Sequence, residues 1–239
     1  MSVYTQEISK LGRLGASHQK VIELVPPASL VLDVGCASGY LARELVARGA
    51  AAVDGLEYDP EEAEAARASC RQVIVGSVED PAVIAQLRDG SYDAIVCADL
   101  VEHLVHPEAA LRNLLPKLRP EGRFVISVPN IAHYSVRFGL LRGRFRYEDV
   151  GLLDRTHLRF FTRESLADFV NAAGLRLDRE EFTFRHPPLA CLLRGVPLIG
   201  GPLARAFDGF TRRRSGLLAY QFVIVASPRR TRAGNEGDE

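Results

Sequence analysis

Five short apolar runs separated by segments of helical character fill residues 31–128, and this alternation limits the fold more than any other feature. The runs lie at 31–34, 52–57, 73–75, 92–98 and 124–128. Between them stand 40–48, an Ala- and Glu-rich stretch at 60–69, a segment opened by Asp80-Pro81, and 107–118 with leucines at 111, 114, 115 and 118. Aspartate before proline is a helix start, and leucines three and four apart line one helical face. Strands that are apolar throughout are buried on both sides, which predicts a parallel sheet with helices on both faces. The rhythm resumes with a helix over 162–173, ended by Gly174, and strands over 175–184 and 217–226. No crossover helix of the usual kind separates the last two strands, so they are expected to run antiparallel.

Composition narrows the class. At 47% hydrophobic and 25% charged, the 239 residues suffice for one large core. Thirty basic residues balance thirty acidic ones, which argues against a chain devoted to coating nucleic acid or anionic membrane. Cys36, Cys70, Cys97 and Cys191 form no C-x-x-C pair, so neither a disulfide framework nor a structural zinc is suggested. The first residues lack a basic segment followed by an apolar run, and a cytoplasmic location is the expectation. The most apolar region, 187–210, is broken by Arg194, Pro197, Gly200-Gly201-Pro202 and Arg205, short of the ~20 residues a spanning helix needs.

The first strand runs directly into Asp33-Val-Gly35-Cys-Ala-Ser-Gly39-Tyr. Glycines at a strand-to-helix junction allow a tight turn and let a ligand approach the backbone. Alone, such a loop is as much a plain turn as a binding site. Two acids sharpen it. Glu57 ends the second strand, where a carboxylate can accept from both hydroxyls of a ribose. Asp33 sits in an apolar strand, a costly place for a carboxylate unless a positive or hydrogen-bonding group meets it. The spacing G-x-x-x-G fits a nicotinamide-dinucleotide site poorly and gives Asp33 no role there.

Together, Val31-Leu-Asp-Val-Gly-Cys-Ala-Ser-Gly39 and Gly55-Leu-Glu-Tyr-Asp59 resemble the first two motifs of class I S-adenosylmethionine (SAM) dependent methyltransferases. Gly76-Ser-Val-Glu79, Tyr92-Asp-Ala-Ile-Val96 and Leu118-Arg-Pro-Glu-Gly-Arg123 continue the resemblance, which covers roughly residues 18–185. It implies a Rossmann-like α/β sheet of seven strands, mostly parallel with the last antiparallel. It also implies SAM as cofactor, with Gly35 and Gly39 making room for the methionine part, Glu57 on the ribose, Tyr58 near adenine, and Ser77 and Val78 at the adenine edge. Asp33 and Asp99 join this cofactor set. Ser77 departs from a common aspartate, and Ala37 replaces a frequent glycine.

The acceptor should lie at the carboxyl ends of the strands, toward 99–106, 130–133 and the insert beyond. An oxygen acceptor needs a base to take its proton, and His103, His133 and His157 are the candidates. No [DN]-P-P-[YFW] element follows strand four, which argues against methylation of base amino groups. Asp99, Glu102 and His103 would share one face of a helix, and His157 would complete four ligands for a divalent metal. That pattern resembles the ubiquinone-pathway O-methyltransferases and the small-RNA 2′-O-methyltransferases, although Asp99 is shorter than their first glutamate. Residues 129–161 resemble the cap of bacterial methyltransferases acting on sugars and other small metabolites. Within them, Arg137, Arg142, Arg144 and Arg146 form either a phosphate grip or a solvated basic face.

The expectation is one domain over 1–227, with a cap at 131–161, a lid at 187–214 and a disordered tail at 228–239. The expected function is SAM-dependent methylation of a hydroxyl on a small molecule or glycan. A metal-dependent RNA 2′-O-methyltransferase and a non-catalytic SAM-binding partner subunit are the alternatives. The cationic, amphipathic segment 187–214 is read as a cover for the core or a dimer partner, with peripheral membrane docking as the other reading.

Overall fold

The computed structural model describes residues 14–184, 209 and 213–229. Helix α1 (Ala16–Leu24) precedes β1 (Leu30–Val34), α2 (Tyr40–Ala47), β2 (Ala52–Glu57), α3 (Pro60–Ala66) and β3 (Val73–Val75). Then come α4 (Pro81–Ile84), β4 (Tyr92–Ala98), a 3₁₀ turn (Val101–His103), α5 (Pro107–Leu114), and β5 (Leu118–Pro129). Helices α6 (Tyr134–Leu141) and α7 (Arg163–Ala172), strand β6 (Leu175–Thr183), helix α8 (Ser215–Leu218) and β7 (Gln221–Pro228) complete the elements of the described residues.

The seven strands form one sheet in the order β3-β2-β1-β4-β5-β7-β6. Pairs from β3 to β5 are parallel, and β7 runs antiparallel to both β5 and β6. Alternation along each strand divides the core in two. Leu32, Ile95, Cys97, Phe124, Ile126 and Phe222 face α5 and α7. Val31, Val53, Ala94, Val96 and Val125 face α1, α2 and α3. The sheet is thus covered on both sides, as its unbroken apolar strands require.

Local chemistry sets the helix ends. Asp59 caps α3 by accepting from the Glu61 N–H at 2.8 Å, with Pro60 in the first turn, and Asp80 caps α4 in the same way. Thr162 and Ser165 form a reciprocal cap at the start of α7. Several boundaries differ from expectation: β5 starts at Leu118 rather than 124, and α3 ends at Ala66 rather than 69. Helix α5 stops at Leu114 and tightens into a 3₁₀ turn (Leu115–Lys117) around Pro116, which lacks the N–H to continue it. The last strand begins at Gln221, because Ser215–Leu218 close a short helical turn first. Most of the lid segment 187–214 and the tail from 230 lie outside the described residues. Among the described residues, no helix is long and apolar enough to cross a membrane.

Strand order reverses beside β1, since the chain leaves it toward β2 and β3 and returns to its other side with β4. In open α/β sheets, ligands bind outside the carboxyl ends of the strands at such a point.

Candidate active site

At that switch point the loop after β1, the end of β2, the turn after β3 and the segment after β4 enclose a cavity of about 300 Å³. Gly35, Glu57, Tyr58, Ser77, Val78 and His103 all line it. Gly35 takes φ +72°, and a Cβ there would stand 3.0 Å from Leu100 Cδ1. Gly39 takes φ +77° at the start of α2, where a Cβ would stand 3.0 Å from the Ala66 backbone. Both positions need glycine. Ala37 between them also has positive φ, at 44°, which accounts for the glycine common there in the family it resembles.

Glu57 braces this loop. Its carboxylate accepts from the Ala37 N–H at 2.8 Å and from the Asp59 N–H at 2.9 Å. A carboxylate offers about four acceptor sites, so two remain for ligand donors. Tyr58 is 77% exposed beside it, Val78 is buried, and Ser77 Oγ accepts from the Glu79 N–H.

Two aspartates inside strands contrast sharply. Asp54 is fully buried, yet it accepts two bonds from Arg71 at 2.8 and 2.7 Å and one each from Gln72 and Tyr92. Asp33 is 2% exposed, and among the described residues its Oδ2 has no hydrogen-bond partner. Burial, and then the negative charge of Glu57, push its carboxyl up to about 7. An uncompensated buried acid beside a glycine loop suits a cationic ligand group. The methionine end of SAM carries both an ammonium and a sulfonium, so the residues present fit that cofactor.

Beyond β4, Asp99 sits at φ +50°. It does not join the expected four-ligand group. Its carboxylate is taken up by Ser127 Oγ at 2.6 Å and by Gln221 Nε2 at 3.1 Å. The stretch Val101–His103 is one 3₁₀ turn rather than a helix containing Asp99, so the shared face is lost. Glu102, His103 and His157 do converge, with ligand atoms within 4.8 Å of one another. Glu102 is buried, and among the described residues Oε2 has no hydrogen-bond partner. Burial and then the Asp99 charge hold its carboxyl well above the ordinary range. His157 is buried with Nδ1 unpartnered, and burial, followed by the His103 charge, lowers its pKa.

The orientation of His103 can be read from its partners. Nδ1 lies 3.2 Å from both the Thr156 carbonyl oxygen and Thr156 Oγ1. The carbonyl only accepts, and the Thr156 hydroxyl donates to Asp154 Oδ1 at 2.7 Å. Nδ1 therefore carries the proton in the neutral ring, leaving Nε2 as the basic nitrogen. His133 stands elsewhere. It caps α6, with Nδ1 accepting from the Ser135 N–H, and its ring lies against Tyr134 and Tyr220. It does not line the cavity that holds His103.

Sequence reasoning missed Thr156 and Asp154 as supports of His103, although Asp154-x-Thr is a short turn signature. It also missed Gln221 and Ser127, for which no local signal exists. Glu79 is another: it accepts from the Val105 and His106 N–H groups and ties the segment after β4 to the cavity wall.

Residues 10–180 match a family model described as a methyltransferase domain. A ubiquinone biosynthesis O-methyltransferase of Psychrobacter arcticus is 30% identical over 182 residues, covering 72% of this chain and 68% of the relative. One from Xanthomonas campestris pv. campestris is 38% identical over 168 residues, covering 63% of this chain and 64% of the relative. These matches span about two thirds of the relatives' length. A SAM-dependent methyltransferase structure from Archaeoglobus fulgidus superposes with a TM-score of 0.61 at 17% identity, covering 94% of this chain and 99% of that one. A chain from the complex of the Haloferax volcanii Trm112 methyltransferase activator with a methyltransferase also gives 0.61, at 18% identity, covering 95% and 94%. At such identities the likeness is one of fold.

Proposed function

The chain belongs to the SAM-dependent methyltransferases, and from that premise we propose that it methylates a hydroxyl group of a small molecule or glycan. Bound SAM supplies an electrophilic methyl group on a positively charged sulfur. Asp33, buried without a partner, meets the positive charge of the methionine end. Glu57 spends two acceptor sites on the loop and offers the rest to the ribose hydroxyls. Ser77, Val78 and Tyr58 flank the base. Transfer is an in-line displacement, so the protein's main tasks are to align the acceptor and exclude water. His103 removes the hydroxyl proton through Nε2, held in that tautomer by Thr156 and Asp154.

The observation that carries this reading is the meeting of the glycine loop, Glu57 and His103 on one cavity at the strand ends. The curated relatives described above are O-methyltransferases of ubiquinone biosynthesis, which favours oxygen as the acceptor atom. The test is His103→Ala. It is expected to lower turnover ~10²–10⁴-fold while SAM affinity stays near wild type. Unchanged turnover would remove His103 from proton transfer.

A second reading rests on Glu102, His103 and His157. Two imidazoles and a carboxylate within 4.8 Å suit a divalent cation, whose charge would favour the ionised form of Glu102. In that case Glu102, His103 and His157 would hold the ion, His103 would be a ligand rather than a base, and the ion would supply Lewis-acid polarisation of the acceptor hydroxyl.

A further inference from the structure

The backbone that carries His103 is held by charged groups from two other parts of the chain. Val105 and His106, which join the Val101–His103 turn to α5, are both exposed, so packing does little to fix them. The peptide unit between them is gripped at both ends instead. Its N–H, on His106, donates to Glu79 Oε1 at 2.5 Å, and its C=O, on Val105, accepts from Arg159 Nη2 at 2.6 Å. An anion on the N–H and a cation on the C=O polarise the peptide in the same direction, which strengthens both bonds. Glu79 Oε2 also accepts from the Val105 N–H at 3.3 Å.

The two halves of this clamp reach different sides of the site. Glu79 follows Ser77 in one turn, where Ser77 Oγ accepts from the Glu79 N–H at 3.1 Å. The Gly76 N–H donates to the Glu57 carbonyl at 2.8 Å and joins that turn to β2. Gly76, Ser77, Val78 and Glu79 all line the cavity that holds His103, and Arg159 stands outside it. On the other side, the Leu158 and Arg159 N–H groups donate to the Glu102 carbonyl at 2.8 and 2.9 Å. Thr156, on the same stretch, bonds His103 Nδ1.

We propose that Glu79 and Arg159 are positioning residues, which clamp the 105–106 peptide so that His103 faces the acceptor, and that Glu79 links this clamp to the filling of the cofactor's base subsite. A base packed on Ser77 and Val78 restricts the turn from which Glu79 projects, so the entropy of ordering the clamp is already spent when the acceptor arrives. Neither side chain touches the reacting atoms. The catalytic consequence rests on the reading of His103 as the proton acceptor, but the clamp can be measured without any methyl acceptor.

Amide exchange of the full chain, followed by NMR with and without saturating S-adenosylhomocysteine, makes that measurement, because this ligand keeps the adenosine and has no methyl to transfer. The ligand is expected to slow exchange of the Val105 and His106 N–H groups in wild type. In Glu79→Ala both should exchange ~10–100-fold faster, the range for losing a hydrogen bond to a charged group, and cease to respond to the ligand. Amides of the central strands should stay as slow as in wild type, which separates a lost clamp from a misfolded chain. Unchanged exchange in Glu79→Ala, or no ligand effect in wild type, would overturn the proposal. Transfer of a labelled methyl group from SAM to a small-molecule extract gives the second readout. Arg159→Ala is expected to lower turnover ~10–100-fold with the KM for SAM unchanged, and Arg159→Lys to recover part of it by keeping a donor for the Val105 carbonyl. Turnover in Arg159→Ala equal to wild type, or a loss that lysine does not relieve, would reduce the pair to a structural tie and overturn the positioning role. Absence of transfer by the wild type would count against the methyl-transfer reading instead, and the exchange result would still decide the clamp.

Discussion

Asp33 gives the sharpest quantitative expectation, because its burial without a partner leaves a measurable trace in the ligand-free protein. Its carboxyl rises from 3.8 to about 7 on folding, chiefly through desolvation and then through repulsion from Glu57. At about 1.4 kcal/mol per pH unit, this corresponds to ~4 kcal/mol of folding stability. The sign follows from proton counting. Between pH 3.8 and about 7 the folded state holds this proton and the unfolded state does not, so stability falls as pH rises through that window. The contribution is fully present below the unfolded value and gone above the folded one. Between pH 5 and 7 the loss should be about 2 kcal/mol, well resolved against a typical total of about 5–15 kcal/mol. Denaturant unfolding at a series of pH values, on wild type and Asp33→Asn, measures it. Asparagine does not titrate, so the difference between the two curves isolates Asp33 from the other groups. SAM should couple oppositely, binding about tenfold more tightly at pH 8 than at pH 6 in wild type and losing that dependence in Asp33→Asn. Parallel pH profiles for the two proteins would refute the argument that Asp33 is an uncompensated buried acid awaiting a cation.

Glu57→Ala should weaken SAM by ~1–3 kcal/mol through loss of acceptors for the ribose, as read by calorimetry, and undiminished affinity would take Glu57 out of the site. The metal reading predicts that chelator-treated enzyme loses activity and regains it with Mg²⁺, Mn²⁺ or Zn²⁺. Full activity after chelation leaves His103 as the base.

Much of this arrangement is legible in the sequence because it depends on local pattern. The apolar runs at β1, β4 and β5 specify buried parallel strands, and Gly35, Gly39 and Glu57 follow from strand-end chemistry within one βαβ unit. What is not legible depends on partners far along the chain. Asp99 looks like a metal ligand beside Glu102, yet Gln221, 122 residues away on an antiparallel strand, claims its carboxylate. His133 and His103 look equivalent as candidate bases. Only the fold sets one as a helix cap and the other on the cavity wall. Local sequence likewise gives no sign that Asp54 is satisfied while Asp33 is not, since Arg71 reaches Asp54 from the bend before β3 and Tyr92 from β4, on the far side of β1.

The central claim is methyl transfer from SAM to oxygen at the Glu57–His103 cavity. Its most direct test is incubation of the full chain with SAM bearing a trideuterated methyl group and a small-molecule extract, followed by mass spectrometry and fragmentation of labelled products. The account predicts a methyl ether carrying the label, reduced ~10²–10⁴-fold when His103→Ala replaces the wild type. Label on nitrogen or carbon, or label that persists undiminished with His103→Ala, would contradict it.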